Sequence, residues 1–151
     1  MNTTTIKVLE DILKQDQESI RKFCNHELSS DDLIEIQRRD FEMVKDIIEK
    51  EGFPYINISS QDAYNGAFLS ILHSDSIKFM ECVIKLFKKA EKNQIIKKHL
   101  AFLIDKRSVM MGEPQIYGTQ YDQSNGGNKF FPIVDYKNLN ARRKEMGLEE
   151  I

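Results

Sequence analysis

The chain has 151 residues, enough for one domain that buries roughly two thirds of its unfolded surface. It is 40% hydrophobic and 30% charged, with a net charge of -2, which argues against a nucleic-acid binder because those carry a basic excess. No apolar run approaches the roughly 18 residues that span a bilayer, and Glu10, Asp11 and Asp16 occupy the start where a secretory leader would be basic and then apolar. The expectation is a single-domain, soluble, cytoplasmic protein with neither a membrane nor a nucleic acid as partner.

Ile6, Leu9, Leu13, Ile20 and Phe23 recur at helical spacing and predict a first helix over about residues 5–25. Ser30 caps a second helix carrying Leu33, Ile36, Val44, Ile47 and Ile48, which stops at Gly52 before Pro54. Ser60 opens a third, with Ala63, Ala67, Phe68 and Ile71. A break at His73-Ser74-Asp75 separates it from a fourth through Phe79, Val83, Leu86 and Phe87. The fifth runs from about Gln94 through Leu100, Leu103 and Met110 to Gly112. Then the period changes to alternation, which predicts two short strands over residues 116–121 and 129–134, joined around Asn125-Gly126-Gly127-Asn128. A short last helix over residues 138–146 closes on Gly147 and Leu148. The expected fold is therefore mainly α, five to six helices in a compact bundle with one β-hairpin near the C-terminus. Cys24 and Cys82 have no metal or redox spacing and read as buried thiols in a reducing compartment.

Three charges break the helical phases. At 100° per residue, Asp16 falls inside the apolar arc of the first helix, Asp40 inside that of the second, and Arg107 between Leu103 and Met111 on the fifth. Burying any one alone would cost several kcal/mol, so these groups must pair or line a wet cavity. Asp16 and Arg107 are expected to be buried in one network, with Asp40 as a third member, and Arg107→Ala to cost roughly 3–5 kcal/mol. A dry Asp–Arg–Asp network that fixes helix register is the structural alternative to a ligand cavity.

His73 sits at a helix junction with Asp75 two residues on, a carboxylate able to orient the ring as a general base is oriented; a capping or core histidine is the bland alternative. His26 and His99, among charged residues, read as surface positions. No histidine lies at metal-ligand spacing, no phosphate-binding glycine loop occurs, and no metal or cofactor is implied. Residues 115–120 place Gln115, Tyr117 and Thr119 on one strand face, with Gln120 on the other, as a polar edge able to read a ligand or to bond helix ends. Arg142 and Arg143 can fork onto a carboxylate or phosphate, or simply complement a helix end.

These elements together resemble a small bacterial family classified only as a domain of unknown function. Its members carry an early Asp-Gln-x-x-x-Arg element, matched by Asp16-Gln17 with Arg21, and a His-Ala-Asp element, matched by His73-Ser74-Asp75. An Asp-Arg pair, a Gln-x-Tyr-Gly-Thr-Gln run, a Pro-Ile-x-Asp and an Arg-Arg ending correspond to Asp105 with Arg107, residues 115–120, residues 132–135, and Arg142-Arg143 through Gly147-Leu148. Ser74 stands where the family has alanine, and Lys106 sits inside the Asp-Arg pair. The resemblance implies a bacterial source and no particular activity.

Three functions fit the residues. In the first, an enzyme of hydrolase or transferase type acts on a small polar or anionic substrate. There His73 is general base, Asp75 its orienter, Arg107, Arg142 and Arg143 the anion clamps, Gln115, Tyr117 and Gln120 the readers, and Asp16 and Asp40 further polar groups of the site. The second is a binding module for a small ligand or peptide end. The third is an interaction protein of immunity or antitoxin type with a protein partner. The first two require His73, Arg107, Gln115 and Tyr117 to converge on one pocket.

Overall fold

The computed structural model describes residues 1–55, 57–90, 93–122 and 129–151. Among them are six α-helices and one two-stranded antiparallel sheet, so the protein is mainly α, as its periodicity requires. The chain divides into two compact units, Met1–Ser74 and Asp75–Ile151.

The first unit holds helices α1 (Thr3–Cys24), α2 (Ser30–Glu51) and α3 (Gln61–His73). Each begins where a short polar side chain satisfies an orphan amide: Asn2 accepts from Thr5, Ser29 from Asp32 and Ser60 from Ala63. The cap of α2 is thus Ser29, one residue before the one expected. Leu9, Leu13, Val44, Phe53, Tyr64 and Ile71 are buried. Helices α1 and α3 cross closely at Gly66, where a Cβ would stand 2.2 Å from the Leu9 carbonyl oxygen. Only glycine allows that approach, and it brings the polar residues two turns further along, Asp16 and His73, into bonding range.

The second unit holds α4 (Ile77–Lys89), α5 (Gln94–Met110), strands β1 (Tyr121–Asp122) and β2 (Lys129–Phe130), a 3-10 turn at Tyr136–Asn138 and α6 (Leu139–Glu145). Helix α6 closes as expected, with Leu148 N–H bonded to the Arg143 carbonyl and Gly147 N–H to that of Lys144. The strands are shorter than their alternation predicted: Tyr121 pairs with Phe130 and Asp122 with Lys129. The expected turn at residues 125–128 lies outside the described residues. Residues 116–120 are not strand at all; the segment is a loop that follows an isolated parallel bridge between Gln115 and Ile133. Both cysteines are exposed and free, contrary to the expectation of buried thiols, because Cys24 ends α1 and Cys82 faces out of α4.

Candidate functional site

In the first unit, Asp16 and Asp40 are both buried, as their phases predicted. Asp16 Oδ1 lies 2.9 Å from His73 Nδ1. The carboxylate that orients His73 is therefore Asp16 and not Asp75, which is exposed. The proximity in sequence that suggested Asp75 was misleading; α1 and α3 place a residue 57 positions away at hydrogen-bond distance. A carboxylate on Nδ1 fixes the ring and leaves Nε2 as the edge able to take a proton. The His73 side chain is partly exposed. Asp40 has Arg39 Nε at 3.8 Å. Burial raises the Asp40 pKa, Arg39 opposes the rise, and the charge of Asp16 adds to it. Ser70, one turn before His73 on α3, has a buried hydroxyl without a hydrogen-bond partner among the described residues.

In the second unit the polar run of residues 115–120 wraps around one carboxylate. Asp105, wholly buried on α5, accepts from the amides of Ile116 (2.7 Å), Tyr117 (3.0 Å) and Thr119 (3.0 Å) and from Thr119 Oγ1 (3.0 Å). Three backbone donors and a hydroxyl converging on one carboxyl group compensate its burial. Gly118 makes the wrap possible at φ +64, and a Cβ there would come within 3.1 Å of Ile133 Cδ1. Gln115 is 0% exposed. Its Nε2 donates to the carbonyls of Gln120 (2.9 Å) and Phe131 (3.0 Å), and its Oε1 accepts from the Gln120 amide (2.9 Å). Gln120 in turn donates to Thr119 Oγ1.

The loop's carbonyls face the two arginines of α6. Arg142 Nε donates to Ile116 (3.0 Å) and Nη2 to Val134 (2.5 Å) and Asp135 (3.1 Å). Arg143 Nη1 donates to Tyr117 (2.7 Å) and Gly118 (3.0 Å), and Nε to Glu149 (2.6 Å). Asp105 thus collects the N–H groups of the loop and the arginines collect its C=O groups. Arg142 and Arg143, two of the three expected anion clamps, and Gln115, an expected reader, are bound to backbone groups. Backbone donors leave no trace in residue identity, so this arrangement is not legible in the sequence.

What the loop holds in place is a wall. An open cavity of about 840 Å³ lies between one face of α4 (Glu81, Ile84, Lys85, Lys88), one face of α5 (Leu100, Ile104, Arg107, Ser108), the loop's Ile116 and Tyr117, and Met146. Arg107 bridges two carboxylates across it, Nε to Glu81 Oε1 (3.2 Å) and Nη1 to Glu113 Oε2 (2.5 Å). Arg107 is therefore partly exposed and paired with glutamates of its own unit, whereas Asp16 pairs with His73, so the partners expected from helical phase are not the ones found. Of the four residues expected to share one pocket, Arg107 and Tyr117 line this cavity, Gln115 is buried behind the loop, and His73 belongs to the other unit.

His99, read as a surface residue, is in fact largely buried on α5. Burial, with Lys98 adding, lowers its pKa to about 4. No group of three or more His, Cys, Asp or Glu among the described residues is arranged to hold a metal ion, and no described helix is long and apolar enough to cross a membrane.

A family model described as a family of unknown function, DUF6624, matches residues 9–151. The chain belongs to that family. No curated protein and no solved structure matches it. The span of the DUF6624 match takes in Asp16–His73, the Asp105 loop with its arginines, and every residue that lines the cavity.

Proposed function

We propose that this DUF6624 protein binds a small polar or anionic molecule in the cavity of its second unit, as a sensing or sequestering module. The observation that carries the reading is the relation between the loop and the cavity. Asp105, Gln115, Arg142 and Arg143 are spent on backbone, and the side chains thereby presented to the cavity are Ile116 and Tyr117. A cavity of several hundred Å³ with an apolar lining and a few convergent polar groups is the usual form of a small-molecule site. Ligand-observed NMR against carboxylates, phosphate monoesters and neutral polar compounds tests it, with Met146→Trp as the variant that fills the cavity. The expected result is binding that the tryptophan abolishes; no binding, or binding indifferent to the tryptophan, defeats the reading.

A second reading rests on a different observation, the 2.9 Å contact of His73 Nδ1 with a buried Asp16 carboxylate. It is the arrangement of a general base, and supports a hydrolase or transferase in which His73 activates water or a substrate hydroxyl. His73→Ala would then remove turnover of ester or phosphate substrates with the fold intact.

A further inference from the structure

The charges around the cavity fall into two groups. Arg107 is occupied: its fork lies between Glu81 and Glu113, and those two carboxylates are occupied by it. Lys85 and Lys88 also line the cavity, are exposed, and pair with no carboxylate among the described residues. They stand three residues apart on α4, so both ammonium groups rise from the same helix face. The helix C-terminus accounts for a cation at Lys88; Lys85 lies a turn earlier. Beside them, Ile84 and Leu100 form a buried apolar floor, continued by the side chains of Ile104, Ile116 and Met146.

We infer that the occupant of this cavity is an amphipathic anion, an apolar chain or ring ending in a single carboxylate or phosphate seated on Lys85 and Lys88. The inference rests on the cavity reading above and names its ligand class. A purely polar anion would leave the isoleucine and leucine floor against water, and a neutral apolar molecule would leave the two ammonium groups unmatched. A cationic amphiphile would meet two lysines and find both glutamates already paired. Neutralising two adjacent like charges also relieves their mutual repulsion, so the anionic head gains more than a single surface ion pair supplies.

The test uses the full chain with methyl-labelled isoleucine and methionine, titrated with decanoate, decyl phosphate, decan-1-ol and decylammonium. Decanoate and decyl phosphate are expected to shift the Ile104 and Met146 methyl signals, with decan-1-ol weaker by roughly tenfold and decylammonium weaker still. Lys85→Glu combined with Lys88→Glu changes only exposed side chains. It should weaken both anions by roughly tenfold or more and improve decylammonium. Equal binding of decan-1-ol and decanoate, or anion binding untouched by the double variant, overturns the lysine seat while leaving the cavity as a binding site. If none of the four probes moves the cavity methyls, the inference fails, while the cavity reading is decided separately by the carboxylates, phosphate monoesters and neutral polar compounds tested against Met146→Trp.

Discussion

Asp40 is 4% exposed, and its neighbour Arg39 has Nε 3.8 Å from Oδ1. Burial raises its pKa above the usual aspartate value. A carboxyl that holds its proton more tightly when folded contributes most below its unfolded pKa, and that contribution is lost as the pH rises through the folded value. Asp40→Asn should therefore raise the melting temperature near neutral pH, with the gain shrinking as the pH falls toward the ordinary aspartate range; thermal melts across that range measure it. His99 works in the opposite sense. Its folded pKa, about 4, lies below the ordinary 6.5, so the unfolded chain binds the extra proton. Its share of stability is complete above pH 6.5 and is lost as the pH falls from 6.5 toward 4, at no more than about 1.4 kcal/mol per pH unit. Urea titrations at several pH values should show this slope in the native chain and a shallower one in His99→Gln.

The loop after α5 is an element only because Asp105 makes it one. Asp105→Ala strips an acceptor from three amides and a hydroxyl at once, and should cost roughly 3–5 kcal/mol in urea unfolding. Asp105→Asn, which keeps an oxygen in place, should cost less. Arg107→Ala is a contrasting case. The helical phase of Arg107 lies inside an apolar arc, which by itself implies a loss as large as that of a buried ion. Its actual partners are Glu81 and Glu113, 44% and 51% exposed, and solvent screens such pairs. The expected loss is about 1 kcal/mol, read in the same urea experiment. A loss as large as that of Asp105→Ala would mean that the Arg107 bridge also supports the loop.

Across the whole molecule, each unit has about 75 residues, close to the size at which a single core is only marginally able to sustain itself. One cooperative transition is therefore expected for the full chain, with far-UV and near-UV circular dichroism melting together. Two separated transitions would make Met1–Ser74 and Asp75–Ile151 independent domains. A cavity ligand binds only the folded chain and should move the melting temperature upward with its concentration.

The order of helices, the caps of α2 and α3 to within a residue and the closure of α6 were legible in the sequence, because they depend on side chains a few positions apart. So was the burial of Asp16 and Asp40, since helical phase is a local property. Partnership was not. Asp16 meets His73 only because Gly66 lets α1 and α3 approach, and Asp75, the nearer carboxylate in sequence, plays no part in that contact. The run at residues 115–120 announced concentrated polarity, and alternation made it look like a strand; Asp105 bends it into a loop through backbone amides, which every residue except proline carries and which no sequence pattern marks. That bend turns Gln115 inward, sets Tyr117 on a cavity wall and recruits Arg142 and Arg143 as braces. Residue identity determined which groups must find partners, and tertiary packing decided which partners they found, because hydrogen bonding and ion pairing act over distances that the folded chain sets.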